Sequence, residues 1–218
     1  MDSQNLVSQE TARQDIYKSL ASFYRLPEES ILTNLDTLSE QLSNLNSEAA
    51  SYISCMQTEL DQNCDLEMLK IEYTRLFIGP YSLPAAPYGS VYTENERKVM
   101  GDSSMDAKKR YQSFGLDISN SIKEVPDHIA VELEFMFFLI YKEIESIKAY
   151  DPEQAQEILY HQKLFLSDHL NMWVPDFTDC VIEHTGTEFY RNLAKATRVF
   201  VAEEIEYLES VFIAATQA

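Results

Sequence analysis

Apolar residues recur along almost the whole chain at the three- and four-residue spacing of an α-helix. One stripe with this spacing consists of Ile31, Leu35, Leu38, Leu42 and Leu45. Farther along, residues 135–141 (FMFFLIY) are apolar on every side of such a helix, which is typical of a helix buried in the middle of a bundle. We find no stretch with the alternation expected of a strand. The pattern predicts an all-α fold, a bundle of about nine helices.

Capping and helix-breaking residues predict where several of these helices begin and end. Pro126 is expected to open the helix that contains the apolar run. Asp151, which precedes a proline, is expected to begin the next helix, and that helix should end at Pro175. Ser103 is expected to cap a short helix that ends at Gly115.

Residues 116–126 (LDISNSIKEVP) carry no clear period and form the predicted hinge between two lobes. The N-terminal lobe would comprise residues 1–115, and the C-terminal lobe would comprise residues 127–218. Because a hinge between helical halves permits domain swapping, we expect either a monomer or a dimer in which two chains exchange lobes.

The segment 79–93 interrupts the helical pattern with an aromatic, proline-rich loop. The stretch 76–92 (LFIGPYSLPAAPYGSVY) contains three of the seven prolines and two of the five glycines of the chain, together with Tyr81, Tyr88 and Tyr92. Ordering so much irregular backbone costs conformational entropy, and loops of this kind commonly hold a ligand or a partner. The alternative is that the three tyrosines only fasten the loop to the core.

The chain is strongly acidic, with 36 acidic and 17 basic residues and a formal net charge of −19. A field of this sign repels nucleic acid and anionic membranes and attracts cationic partners, although acidity can also serve solubility alone. The three cysteines are scattered, which indicates neither a disulfide framework nor a zinc ribbon. The N-terminus lacks a signal-peptide pattern, and the longest apolar run is too short to span a membrane. These features predict a cytoplasmic protein.

The common catalytic motifs are absent from the sequence, among them the phosphate-binding loop, the dinucleotide-binding glycine pattern and the paired-histidine zinc motif. We therefore expect neither an enzyme nor a bound cofactor or metal. His128 and Glu132 lie one helical turn apart and could share a metal, but no second histidine or cysteine lies at ligand spacing. The alternatives are that Asp127 serves the first helical turn with His128 half exposed, or that both line a polar pocket at the hinge.

Trp173 is the only tryptophan of the chain. We expect it to anchor the packing at a helix end, because burial of an indole is favourable. His161 and His169 stand eight residues apart on one predicted helix, and both are expected at the surface or at a contact between the lobes.

A series of motifs runs in order along the chain. They are residues 72–80 (EYTRLFIGP), 83–92 (LPAAPYGSVY), 101–103 (GDS), 126–128 (PDH), 132–136 (ELEFM), His169 with 173–177 (WVPDF), and 189–194 (FYRNLA). In this order they resemble the TorD/DmsD family of redox-enzyme maturation chaperones, and the loop is most similar to the DmsD branch. The sequence departs from the family pattern at two places. The loop has Tyr88 where the family often has Trp. The family's Glu-Pro-x-Asp-His motif is present with its proline, Pro126, displaced by one position.

The resemblance implies a TorD-like bundle of two lobes and a non-enzymatic cytoplasmic chaperone. Such a protein binds the twin-arginine signal peptide of a molybdenum-cofactor oxidoreductase, holds the apoenzyme during cofactor insertion and delays its export. A receptor for this peptide needs carboxylates for the two guanidinium groups and an apolar, aromatic surface. The candidate peptide-binding residues are Leu83, Pro87, Tyr88, Gly89, Ser90, Tyr92, Glu124, Asp127, His128 and Glu132.

Three other interpretations remain open. The first is a metal- or nucleotide-dependent enzyme, which elemental analysis and nucleotide titration would reveal. The second is a purely structural bundle. The third is an assembly chaperone of the nitrate-reductase type, which acts on a mature subunit and would still bind a client that lacks its leader peptide.

Overall fold

The computed structural model describes residues 3–62, 64–80, 83–94, 99–116 and 125–217, apart from the side chains of Ser3 and of residues 214–217. Its helices are α1 (Ser3–Phe23), α2 (Ile31–Asn44), α3 (Ala50–Gln62), α4 (Leu66–Tyr73), α5 (Ser90–Thr93), α6 (Asp102–Ser113), α7 (Ile129–Lys148), α8 (Pro152–Phe165), α9 (Asn171–His184) and α10 (Glu188–Gln217). A π-turn, Thr74–Ile78, continues α4, and a second π-turn, Leu166–Leu170, joins α8 to α9 without a break. Within the described ranges there are thus nine separate helices and no strand, which confirms the predicted all-α bundle.

The helices α1 and α7 lie side by side, and theirs is the most extensive contact between elements of the described residues. Around them, α2 packs against α1, α8 against α7, and α10 against both α3 and α9. Apolar residues of these helices, such as Ile16, Leu139 and Phe200, belong to one continuous hydrophobic core, to which both predicted lobes contribute. The predicted hinge falls mostly on residues 117–124, outside the described ranges, so the division into two lobes stays a prediction.

The sequence predicts that Pro126 opens α7, and the helix begins three residues later, at Ile129. His128 is the N-cap, because its Nδ1 accepts a hydrogen bond of 3.1 Å from the N–H of Ala130. Asp127 does not cap the helix, since its carboxylate accepts a hydrogen bond from the N–H of Ser90 in the loop. A local cap at His128 therefore begins α7, while Asp127 is engaged by a distant segment of the chain.

A left-handed residue ends α7. The N–H of Tyr150 donates to the carbonyl of Ile147 at 3.1 Å, and the N–H of Asp151 donates to the carbonyl of Ser146 at 3.0 Å, which is the Schellman pattern of hydrogen bonds. Tyr150 occupies the position where glycine is usual, with a φ of 58°, and its side chain is 87% exposed. The turn therefore carries a conformational cost that a glycine would avoid.

The predicted helix break at Pro175 is wrong, because α9 continues through this proline. A proline inside a helix removes one backbone hydrogen bond, but the buried side chains of Trp173 and Phe177 hold the helix against the core on either side of it. The predicted start at Asp151 is confirmed, since its carboxylate accepts a hydrogen bond of 3.0 Å from the N–H of Gln154.

The helix α6 begins at Asp102, one residue before the expected cap. Ser103 does not cap it, because its N–H and its hydroxyl both donate to Glu94 Oε1 at 3.1 Å. This contact ties the first turn of α6 to the residue that follows α5. The predicted end is confirmed, because Gly115 follows the helix in the left-handed region with a φ of 73°.

A buried charged cluster, consisting of Glu10, Arg13, Glu143, Gln162 and Glu204, ties α1, α7, α8 and α10 together. The guanidinium of Arg13 donates to both oxygens of Glu204, to Gln162 Oε1 and to Glu10, and it lies 3.9 Å from Glu143 Oε2. Burial, with the charge of Glu10 beside it, raises the pKa of Glu143 to about 8. Three carboxyl groups thus surround one guanidinium, and the raised pKa of Glu143 favours its protonated form over that of an ordinary carboxyl group.

Among the helices of the described residues, none combines the length and the apolar character that a membrane crossing requires.

Candidate functional site

The proline-rich loop is fastened to the start of α7 by paired backbone hydrogen bonds. The N–H of Gly89 donates to the carbonyl of Asp127 at 2.9 Å, and the N–H of Ile129 donates to the carbonyl of Pro87 at 2.9 Å. These two bonds make an isolated antiparallel bridge at the residues between them. Two segments that the sequence analysis selected separately, the loop and the Pro-Asp-His stretch, therefore lie side by side.

The carboxylate of Asp127 adds a further hydrogen bond to this junction. Asp127 is fully buried, and its Oδ2 accepts a hydrogen bond of 2.6 Å from the N–H of Ser90 at the first turn of α5. Within the described part of the chain its Oδ1 accepts no hydrogen bond. A buried carboxylate oxygen in this condition is a candidate acceptor for an incoming donor.

Trp173 forms the floor of the loop. The indole is 1% exposed and stacks on the ring of Tyr92, with centroids 5.9 Å apart and an angle of 16° between the planes. A Cβ atom at Gly89 would lie 2.9 Å from Trp173 Nε1, so only glycine allows the loop to approach this closely. Trp173 is buried as expected, but it lies within a continuous helix and not at a helix end.

Glu132 lies behind the indole rather than at the surface. It is fully buried, and its Oε2 accepts a hydrogen bond of 2.9 Å from Trp173 Nε1, while its Oε1 is 3.4 Å from His169 Nδ1. Burial raises the pKa of Glu132, the contacts with His169 and Trp173 partly offset this rise, and the nearby charge of Asp127 adds to it.

His169 is a functional candidate that the sequence interpretation missed. Of the two expected positions, the surface is wrong, because His169 is 4% exposed. It connects Glu132 on α7 to Asp106 on α6, with 2.9 Å between Nε2 and Asp106 Oδ2, and these two helices belong to different predicted lobes. Burial raises the pKa of Asp106, but the hydrogen bonds from His169 and Arg110 outweigh this effect and lower it. The sequence held two signals, the place of His169 in the series of motifs and its four-residue spacing from Trp173 within one helix.

The accessible part of the site is aromatic and apolar. Leu83, Tyr88 and His128 are half-buried, and the rings of Tyr88 and His128 meet edge to face with centroids 5.4 Å apart. Pro87, Gly89 and Ser90 are buried, Tyr92 is half-buried, and Glu124 lies outside the described residues. The described contacts thus join the segment 87–92 to Asp127 and His128 and, through Trp173, to Glu132.

The described residues contain no group of three or more histidine, cysteine, aspartate or glutamate side chains that could hold a metal ion. Of the pair considered for a metal, His128 caps α7 and Glu132 contacts Trp173 and His169. Each side chain is therefore engaged elsewhere.

Comparisons with known proteins point to one family. A family model described as nitrate reductase delta subunit matches residues 33–179. The Tat proofreading chaperone DmsD of Salmonella typhi is 31% identical over 137 residues, which are 63% of this chain and 60% of that protein. The chaperone protein TorD of Vibrio cholerae is 26% identical over 211 residues, which are 92% of this chain and 93% of that protein. The chain belongs to the TorD/DmsD family of redox-enzyme maturation chaperones.

A solved structure supports the same assignment for the family fold. A protein from Archaeoglobus fulgidus, assigned to redox enzyme maturation, superimposes with a TM-score of 0.57 and 28% identity, over 87% of this chain and 93% of that one. The TorD/DmsD family consists of chaperones, which agrees with the expectation that the chain is not an enzyme. The chain spans about 60% of the length of the DmsD relatives it matches.

Proposed function

We propose that this protein is a cytoplasmic chaperone that binds the twin-arginine signal peptide and the apo form of a molybdenum-cofactor oxidoreductase. It assists maturation of that enzyme and delays its export through the Tat pathway until cofactor insertion is complete. Membership of the TorD/DmsD family and the name Tat proofreading chaperone carried by its DmsD relatives support this proposal.

The observation that carries the proposal is the junction between the loop and the start of α7. Leu83, Tyr88 and His128 are half-buried apolar or aromatic groups, and the buried carboxylate of Asp127 contacts the loop at the N–H of Ser90. A twin-arginine leader presents two guanidinium groups followed by an apolar stretch. Aromatic groups suit the apolar stretch, and carboxylates suit the guanidinium groups because they accept paired hydrogen bonds.

We assign the predicted residues to the two parts of the peptide. Tyr88 and Tyr92 support its apolar part, Asp127 meets an arginine with Glu124 or Glu132 nearby, and His128 shapes the pocket. Because Asp127 is fully buried, an arginine reaches it only when the loop moves. Asp127 Oδ1, which has no hydrogen bond among the described residues, would then accept one from the guanidinium.

The charge of the chain favours a cationic partner. The formal net charge is −19, and such a field raises the rate at which a basic peptide meets its receptor. This contribution is long-ranged and falls as salt is added.

A calorimetric titration of a synthetic twin-arginine leader peptide tests the proposal. We expect saturable binding, and we expect the same peptide with both arginines replaced by lysine to bind about 10-fold more weakly, since an ammonium cannot form the paired hydrogen bonds of a guanidinium. Equal binding of a peptide of scrambled sequence would contradict the proposal.

The second candidate function is assembly of a molybdoenzyme subunit that faces the cytoplasm and has no leader. The description of the matching family model, nitrate reductase delta subunit, supports this candidate. Titration with a client catalytic subunit from which the leader has been deleted separates the two candidates. Undiminished affinity favours the second function, and loss of binding favours the first.

A further inference from the structure

His169 sits beneath the loop between carboxylates of two different helices. Its Nδ1 is 3.4 Å from Glu132 Oε1 on α7, and its Nε2 is 2.9 Å from Asp106 Oδ2 on α6. The contact with Glu132 Oε1 is at ion-pair distance without being a hydrogen bond, and among the described residues this oxygen accepts none. Only a doubly protonated imidazole carries a positive charge and an N–H towards each of the two carboxylates. The ring also stacks on Phe165, with centroids 4.6 Å apart, so packing fixes its orientation.

We propose that His169, in its charged form, is a positioning residue that holds Trp173 beneath the proline-rich loop. The inference rests on the proposed function in one respect: its consequence is that affinity for the leader peptide depends on the charge of His169. The position of Trp173 itself can be tested without any peptide.

Glu132 needs a positive charge beside it. Glu132 is fully buried, and an isolated buried carboxylate is strongly disfavoured. Among the described residues, His169 is the basic side chain found at ion-pair distance from it. A neutral His169 would leave Glu132 either unpaired or protonated.

Glu132 in turn fixes the position of the Trp173 indole. Glu132 Oε2 accepts the hydrogen bond of Trp173 Nε1 at 2.9 Å, and a charged acceptor holds such a donor about twice as strongly as a neutral one. Protonation of Glu132 therefore weakens this bond, and an unpaired charge favours opening of the site towards water. Either way, Trp173 loses its fixed position.

The indole in turn supports the proline-rich loop. Trp173 stacks on Tyr92 and lies so close to Gly89 that a Cβ atom there would be 2.9 Å from the indole nitrogen. A shift of the indole would therefore displace Gly89 and Tyr92, in the part of the loop that is hydrogen-bonded to the start of α7. The loop keeps its place only while the indole does.

Other charged groups around His169 set the direction of the effect. Burial lowers the pKa of His169, but the contact with Glu132, the charge of Glu132 and the hydrogen bond with Asp106 outweigh this and raise it, while the charge of Arg110 opposes them. Arg110 itself is paired with Asp106 and with Asp168. The carboxylate of Asp127 and the hydroxyl of Tyr111 also lie near Glu132. The net effect raises the pKa of His169, so its proton is lost at a higher pH than that of an ordinary histidine.

The first experiment uses the fluorescence of Trp173, the only tryptophan of the chain. We expect the emission of the wild type to change in one step between about pH 5 and about pH 9, on the alkaline side of the usual histidine titration. His169→Gln should abolish this step. The matched control His184→Gln, at an exposed histidine on α9, should retain it.

A second variant keeps the test decisive if His169→Gln folds poorly. Asp106 is half exposed, so Asp106→Asn is expected to fold normally. It removes one of the two carboxylates that favour the charged ring, and the emission step should therefore move to lower pH. An unshifted step would contradict the proposal, as would emission of the wild type that does not titrate.

The last measurement joins the position of Trp173 to binding. Titration of a histidine-free twin-arginine leader peptide should show about a 10-fold loss of affinity across the emission step in the wild type, and weak, pH-independent binding in His169→Gln. Constant affinity while the emission titrates overturns the proposal. Absence of binding at every pH counts against the proposed function instead, and the emission data then still decide whether His169 positions Trp173.

Discussion

The carboxylate of Asp127 accepts a hydrogen bond of 2.6 Å from the N–H of Ser90, 37 residues earlier in the chain. Together with the two backbone hydrogen bonds beside it, this contact makes the end of the loop and the start of α7 one structural unit. Any ligand that pairs with Asp127 has to compete with the N–H of Ser90 or use the other carboxylate oxygen. Ligand binding and the position of the loop are therefore coupled.

Asp127→Asn should weaken leader-peptide binding about 10-fold, because a charge-assisted hydrogen bond to an arginine contributes about 1.5–3 kcal/mol. Thermal stability should change little, since the asparagine oxygen can still accept the hydrogen bond from Ser90. Calorimetric titration and thermal melting measure the two effects. As a control, Asp151→Asn makes the same chemical change at the N-cap of α8 and should leave affinity unaltered. Equal affinities of wild type and Asp127→Asn would end this assignment.

Gly89→Ala should destabilise the protein by about 1–3 kcal/mol, as overpacking of a filled site does. The reason is the distance of 2.9 Å that the new Cβ atom would have from Trp173 Nε1. The free energy of unfolding in urea and the emission of Trp173 should both change. Gly186→Ala is the matched control, because its Cβ atom would meet Glu72 at an ordinary 3.7 Å. A Gly89→Ala variant as stable as this control would show that the indole moves freely.

Glu143→Gln should stabilise the protein at alkaline pH. The pKa of Glu143 is raised to about 8 in the folded state, so the folded protein binds more protons than the unfolded chain between the ordinary carboxyl range and about pH 8. Stability of the wild type therefore falls as the pH rises through this window, whereas the glutamine variant lacks this loss. We expect its melting temperature to exceed that of the wild type by about 2–4 °C at about pH 9.

The control for this effect lies two residues away, on the opposite face of α7. Glu145 is on the same helix and exposed, so Glu145→Gln should follow the wild type at every pH. The advantage of Glu143→Gln should shrink as the pH falls towards the ordinary carboxyl range. An advantage that is constant with pH would mean that Glu143 carries its charge throughout.

Tyr150→Gly should stabilise the protein by about 1 kcal/mol, because Tyr150 has a φ of 58° and glycine adopts this conformation without the steric cost of a Cβ atom. The side chain is 87% exposed, so little packing is lost. Urea unfolding of the variant measures the gain. Asn46→Gly serves as the comparison at a φ of 55°, and it should be nearly neutral because asparagine tolerates this region. A destabilised Tyr150→Gly would reveal a packing role for the tyrosine.

The helical architecture follows from features that lie within a few residues of one another. The apolar stripe that ends at Leu45 and the Asp151 cap both predict their helices from local spacing. Pro175 misled the interpretation because a proline usually ends a helix, whereas burial of Trp173 and Phe177 on the same helix outweighs the missing hydrogen bond. Tertiary packing of this kind leaves no local mark.

The sequence indicated which segments to consider for the candidate site but not how their side chains are arranged. Motif resemblance selected the loop together with Asp127 and His128, and the structure brings these segments together. The burial of Asp127 and Glu132 was not predictable, because carboxylates are usually exposed and their partners lie far away in sequence. His169 was missed for the same reason, since its two carboxylates come from α6 and α7.

The π-turn Leu166–Leu170 gives the helix a place that can take up a change in chain length. A π-turn accommodates one more residue than a regular α-helical turn, so removal of one residue there would restore regular helix and leave Trp173 on the same side of it. Removal of one residue from the regular turns of α8 would instead rotate everything that follows by about 100°, and the indole would no longer face the loop. Among descendants of this gene, the loss of one codon should therefore be tolerated at this turn more readily than within α8.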